Sequence, residues 1–222
     1  MHIRMLVAEI VQRAGRDGLR ATFRKAVRYL RTGCAADDFD RRNGTNTGKI
    51  EPLWKLAIDS PNLRFGVRYQ PTGEDELKEA LNFLHEDLRR FIFIDLGCGK
   101  GRALLVAYNL GFKQVIGVEF ARELADIART NLAKLRISNA RVMHADAGGF
   151  KFPDSDMVVY LYNPFSNQVM GSVIANLSRC RSRRRYVIYN NPVCAKALDS
   201  SGFLRRLGPL PGREDIQIWK TA

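Results

Sequence analysis

Histidine and cysteine are scarce in this chain, three and four in 222 residues, with no C-x-x-C pair and no histidines at ligand spacing. That argues against a zinc site, a histidine-activated nucleophile and a disulfide framework. Cys34, Cys98, Cys180 and Cys194 suit a reducing compartment, so the cytoplasm is the expected location. Long apolar runs are missing too: no stretch approaches the roughly 18 residues of a membrane span. The apolar start, residues 5–11, is broken by Glu9 and lacks a convincing small-residue cleavage site, so no secretory leader is expected. Acid is the remaining shortage. Against 36 Lys and Arg stand 23 Asp and Glu, giving a net charge of +13 and a pI near 10.0. The excess gathers near the N-terminus and in Arg179, Arg181, Arg183, Arg184 and Arg185. Such a surface suits RNA or an anionic membrane, yet no RNA-binding module is appended, and the arginine run also fits a solvated helix-to-strand turn.

Glycine, by contrast, is concentrated where it matters. Phe91-Ile92-Phe93-Ile94-Asp95-Leu96-Gly97-Cys98-Gly99-Lys100-Gly101-Arg102 is an apolar strand ending in an acid, then three alternating glycines, then helix-forming residues 103–110. Glycines at every second position let the backbone turn sharply and approach a ligand where a Cβ would collide. A dinucleotide loop, G-x-G-x-x-G, would need its third glycine at Arg102, and Asp95 would repel a pyrophosphate. S-adenosylmethionine carries a sulfonium and an α-ammonium instead of a phosphate, so Asp95 before Gly97, Gly99 and Gly101 is matched to it in charge. A strand-to-helix turn holding nothing is the plainer alternative.

A second strand, Gln114 to Phe120, ends in Glu119 about 20 residues past the glycines, the position from which a carboxylate meets a ribose diol. Phe120 is placed to cover one face of the adenine. Taken singly, Glu119 would more often be a solvated acid opening the next helix. A third strand, Ala140 to Ala147, follows the helix 121–135 and carries Asp146 and Ala147; Asp146 is expected to accept from the adenine amino group. Three acids at three parallel strand tips would converge on one crevice. His144 reads as a neutral side chain packed on the sheet.

Together, Asp95 to Gly101, Gly117-Val118-Glu119, His144 to Ala147 and Tyr162-Asn163-Pro164-Phe165 resemble the class I, seven-stranded S-adenosylmethionine-dependent methyltransferases, over roughly residue 69 to the C-terminus. The spacing is also loosely similar to the non-SET lysine methyltransferases, in which a Tyr and Thr loop precedes the first strand and an Asn-Phe element follows the fourth. Tyr69-Gln70-Pro71-Thr72 and Asn163-Pro164-Phe165 stand in those places. The resemblance implies Tyr69 and Thr72 as further cofactor contacts. It implies Asn163, Pro164 and Phe165 as the acceptor slot beside the methyl group, as in the Asn-Pro-Pro-aromatic element of amino-methylating enzymes with one proline missing. An amine acceptor on a protein or small molecule is therefore favoured, an RNA methyltransferase and a non-catalytic binding module being the alternatives. Asn163-Pro164 also reads as a turn, because Asn190-Asn191-Pro192 ends the fifth strand in the same way.

The expected fold is α/β: a doubly wound, seven-stranded, mostly parallel sheet with a final antiparallel strand pair and an N-terminal helical extension. Strands four and five are placed at 156–162 and 186–189, and the antiparallel pair at 203–207 and 215–220 around a turn at 208–212. Residues 1–50 are assigned to the extension and 51–222 to the cofactor-binding domain. The extension reads as two basic amphipathic helices, which are expected to brace the domain before they serve as an arm for RNA or membrane. Residues 37–48 are polar and glycine-punctuated and read as loop, either a lid over the cofactor or a surface connection.

Overall fold

The computed structural model describes residues 38–48, 70–162 and 165–222. The two amphipathic helices expected before residue 37, Tyr69, Asn163 and Pro164 lie outside the described residues.

Seven strands form one sheet in the order β3-β2-β1-β4-β5-β7-β6. They are β1 Ile92–Leu96, β2 Gln114–Glu119, β3 Ala140–His144, β4 Met157–Tyr162, β5 Arg185–Asn190, β6 Leu204–Leu210 and β7 Arg213–Thr221. The first five are parallel, and β7 runs antiparallel between β5 and β6. The central strands β1, β4 and β5 read as nearly unbroken apolar runs because both faces of the sheet are covered.

Six helices are described: α1 Asp38–Asn43, α2 Glu74–Asn82, α3 Arg102–Asn109, α4 Arg122–Lys134, α5 Asn167–Ser178 and α6 Ala195–Asp199. Side-chain alternation along each strand divides the core in two. Phe91, Phe93, Val158 and Tyr160 face α2, α3 and α4, while Ile92, Ile94, Val159 and Val187 face α5 and α6. Crossovers from a central β1 place helices on both faces and leave the strand order reversing between β1 and β4, the place where sheets of this kind open a ligand crevice at the carboxyl ends. The expected doubly wound sheet with its antiparallel pair is present. Among the described residues no helix is long and apolar enough to cross a membrane.

Three expectations need correction. Residues 38–43 of the polar segment are helical, with Asp38 and Asp40 in the first turn and Arg41 and Arg42 in the last, a charge order that suits the helix dipole. The turn placed at 208–212 is mostly strand: β6 continues to Leu210 through register shifts at Arg206/Gly208 and Pro209/Leu210. An edge strand tolerates both a bulge and a proline, because its outer groups pair with nothing. Finally, β3 stops at His144, so Asp146 lies beyond the strand tip, where its carboxylate accepts from Gly148 N at 2.8 Å and caps a short 3-10 turn, Ala147–Gly149.

Gly117, midway along β2, shows how closely the glycine turn packs on the sheet. A Cβ there would lie 2.6 Å from Cys98 Sγ and 2.7 Å from Leu104 Cδ1. Both neighbours are buried, so neither can swing into solvent. Gly117→Ala is expected to cost about 1–3 kcal/mol through this overpacking, read as a melting temperature lower by several degrees. An unchanged melt would show that the turn yields freely.

Candidate functional site

The turn after β1 is built from local necessity. Gly97, Gly99 and Gly101 have φ of 89°, 53° and 86°, the left-handed region in which a side chain is strained. Gly97 N and Cys98 N both donate to Val118 O, at 2.8 and 3.1 Å, so the turn is tied to the neighbouring strand as it leaves β1. Gly101 then begins α3 against α4, where a Cβ would stand 3.1 Å from Ala128 Cβ.

Glu119 ends β2 and clasps this turn. Its Oε2 accepts from Gly99 N at 2.8 Å and its Oε1 from Ala121 N at 2.9 Å, joining the glycine turn to the start of α4. Each carboxylate oxygen can accept a second hydrogen bond, so capacity for a diol remains. Burial pushes the Glu119 carboxyl up to about 7, against the downward pull of the backbone N–H groups of Ala121, Gly99 and Phe120. Asp95 is 3% exposed, and among the described residues its carboxylate has no hydrogen-bond partner. Burial, and then the charge of Glu119, hold it well above the usual carboxylate range. The same burial raises the Cys98 thiol, with Asp95 and Glu119 adding to it. A cationic group with N–H donors would relieve both acids.

The segment before α2 reaches the same crevice. Tyr160, directly opposite Asp95 in the β1–β4 register, donates its hydroxyl to Thr72 Oγ1 at 3.4 Å. Gln70 Nε2 donates to Tyr162 OH at 2.8 Å. Residues 70–72 are thereby pinned to the carboxyl end of β4. Asn190, the last residue of β5 and the register partner of Tyr162, is buried at the same end of the sheet. Phe120 follows Glu119 at the mouth of the crevice, its carbonyl 3.1 Å from His144 Nε2, which accounts for His144 as a packed, hydrogen-bonded ring.

The structure thus gathers Thr72, Asp95, Gly97, Gly99, Gly101, Glu119 and Phe120 at the carboxyl ends of β1, β2 and β4. Asp146 stands beside them, since Ala145 N donates to Glu119 O at 2.9 Å, but one of its oxygens is committed to Gly148 N. Ala147 is buried in the α5-side core. Phe165 is buried in that core as well, its carbonyl 3.8 Å from Cys194 Sγ. It therefore belongs to the core on the sheet face opposite Phe93 and Tyr160. Tyr160 and Asn190 were missed in the sequence. Tyr160 sits inside a strand pattern that predicts only core, and Asn190 belongs to the second asparagine element, whose likeness to the first was the available signal.

These residues fit S-adenosylmethionine on structural grounds: a turn of positive-φ glycines that leaves the backbone open to close approach, a buried acid without a hydrogen-bond partner among the described residues, and a second acid with free lone pairs. Asp95 would face the cationic end, Glu119 the ribose hydroxyls and Phe120 the adenine.

Residues 93–182 match the family described as a methyltransferase domain. Over 109 residues the chain is 34% identical to ribosomal protein L11 methyltransferase from Hamiltonella defensa, covering 49% of this chain and 35% of that protein. The chain spans only about a third to two-fifths of the length of the first curated relatives it matches. Among solved structures, a protein described as a methylase from Haemophilus influenzae superposes with a TM-score of 0.53 at 21% identity, covering 67% of this chain and 98% of that one. Magnesium protoporphyrin IX methyltransferase from Synechocystis PCC 6803, solved with bound S-adenosylmethionine, gives a TM-score of 0.50 at 18% identity, covering 66% and 77%. Residues 93–182 thus match a methyltransferase-domain family, and the seven-stranded sheet built around them has the fold of these solved structures.

Proposed function

We propose that this methyltransferase domain transfers the methyl group of S-adenosylmethionine to an amine nitrogen of a protein or small molecule. The observation that carries the cofactor half is the pair of buried acids, Asp95 and Glu119, around a glycine turn whose backbone only glycine adopts without strain. Support for the amine half comes from Asn163-Pro164-Phe165 directly after β4, and from the likeness to an enzyme named for a ribosomal protein.

When bound, the cofactor supplies a methyl group already activated by its sulfonium. The protein's share is alignment and the exclusion of water, worth roughly 7–11 kcal/mol when a nucleophile is held in line. Asp95 balances positive charge in a buried setting. Glu119 fixes the cofactor by accepting from its diol, and Thr72, held by Tyr160, closes the crevice from the α2 side. Asn163 would accept from the amine, and Phe165 would wall the slot. No nucleophilic side chain is required.

The net charge of +13 favours one second reading, an RNA methyltransferase. Radiolabelled methyl transfer into fractionated lysate, followed by nuclease and protease treatment, separates the two. Label sensitive to protease, or carried by a small amine, is the expected outcome; nuclease-sensitive label would transfer the proposal to RNA. With the acceptor in hand, Asn163→Ala should leave cofactor affinity within a few-fold while turnover falls on the order of a hundredfold, the mark of a contact realised mainly in the transition state. Near-normal turnover in a correctly folded Asn163→Ala protein would reduce Asn163-Pro164 to a structural turn.

A further inference from the structure

Residues 38–48 are folded into a compact knot. Asp40 lies at its centre: Thr45 Oγ1 donates to it at 2.7 Å, Thr47 Oγ1 at 2.6 Å, Thr47 N at 2.8 Å and Gly48 N at 2.6 Å. Burial alone would raise the Asp40 carboxyl, but the hydrogen bonds from Thr47, Thr45 and Gly48 hold it below its usual range.

Besides an ion pair from Arg42 to Glu74 of α2, the knot is fastened to the domain at two points that adjoin the glycine turn. Arg102, the first residue of α3 and the neighbour of Gly101, donates Nε to Thr47 Oγ1 at 2.8 Å, with Nη2 3.9 Å from Asp40 Oδ2. Its guanidinium lies 4.9 Å over the Phe39 ring. Asn131 of α4 accepts from Asn46 N at 3.1 Å and donates to Asn46 O at 3.3 Å. The same amide donates to Lys100 O at 3.0 Å, inside the turn itself. Asn131 and Thr47 are 1% and 0% exposed, so these bonds are made away from competing water. An amide buried on α4 that satisfies both the knot's backbone and a carbonyl of the glycine turn joins the two in one network.

We infer that Asp40, Thr47, Arg102 and Asn131 are positioning residues, through which the knot at 38–48 holds the glycine turn in its ligand-receiving shape. The turn needs such support because three glycines with positive φ fall within five positions, and without side chains their backbone is free to take other shapes unless the surroundings fix it. Arg102 clamps the turn's exit and Asn131 its middle. The effect on cofactor affinity rests on the cofactor reading proposed above; the effect on the turn does not.

The test combines hydrogen exchange of the full-length protein without ligand and calorimetry with S-adenosylhomocysteine, on wild type, Thr47→Val, Asn131→Asp and Thr47→Ser. Thr47→Val keeps the shape but removes the hydroxyl between Arg102 and Asp40. Asn131→Asp keeps the acceptor for Asn46 and loses both donors. Each removes two buried hydrogen bonds and is expected to speed exchange in peptides spanning 97–101 by about tenfold or more relative to the strands, and to weaken ligand binding by roughly tenfold. Thr47→Ser, which retains the hydroxyl, should behave like wild type. Unchanged exchange at 97–101 in both variants overturns the inference. So does faster exchange spread evenly over the domain, because that would mark the knot as general structural support. A wild type that binds no S-adenosylhomocysteine refutes the cofactor reading, while the exchange data still decide whether the knot positions the turn.

Discussion

Glu119→Ala is expected to weaken binding of S-adenosylmethionine and of its demethylated product by tenfold to a hundredfold, and Gly99→Val by at least as much. The carboxylate would lose its hydrogen bonds to the ligand diol, about 1.5–3 kcal/mol for a charged pair. It would also leave Gly99 N and Ala121 N without the acceptor they share. Gly99→Val acts on the backbone instead: at φ 53° a β-branched residue is strained, and the turn must change shape to relieve it. Titration calorimetry on folded protein is the measurement. Equal affinity in wild type and both variants, or no binding by wild type, would remove the crevice from consideration as the cofactor site.

The second large effect concerns pH. Glu119 rises from an ordinary 4.5 to about 7 in the folded chain, and Asp95 also rises. Both acids are therefore more easily protonated folded than unfolded. The stability this contributes is fully present below their unfolded values and is lost as pH climbs through the folded ones. For Glu119 alone, the loss between pH 4.5 and about 7 is on the order of 3 kcal/mol. Ligand-free protein should thus melt progressively lower as pH rises from about 5 to about 8, through the raised Glu119 value of about 7. Binding of the cationic cofactor runs the opposite way, because it needs the ionised carboxylates, so its affinity should rise over the same interval. Glu119→Gln should flatten most of both slopes. A ligand-free melting temperature that rises towards pH 8 would show that the two acids ionise freely.

The cofactor turn was legible in the sequence because its determinants are local. Three alternating glycines after an apolar strand and an acid dictate the same backbone wherever they occur, and the following strands declare themselves by composition. Helix ends, too, fell within a residue or two of their expected places, as with α3 and α4. What stayed hidden depends on distance along the chain. Asn131 reads as one more polar residue on an amphipathic helix, yet it meets Asn46, 85 positions away. Arg185 reads as part of a solvated basic run, whereas its buried guanidinium donates to Leu177 O and Cys180 O and so caps the end of α5. Asp146 was placed on a strand because the acid looked like a strand tip; its side chain instead closes the turn that follows, a local bond that competes with strand geometry. The bulged course of β6 through Gly208 and Pro209 was masked by residue types that usually signal a turn.

The insertion of β7 between β5 and β6 also sets an order on synthesis at the ribosome. β5 is buried along its whole length in the finished sheet, but one of its edges is covered only by residues 216–220. Until those residues emerge, the nascent chain presents Arg185–Asn190 as an open, largely apolar edge, the kind that recruits other strands. The parallel half can assemble early from βαβ units, while closure of this edge waits for β7. Premature termination or slow translation near residue 210 would therefore leave a sheet that is mostly built and adhesive, and such chains should aggregate while chains extended past β7 stay monodisperse.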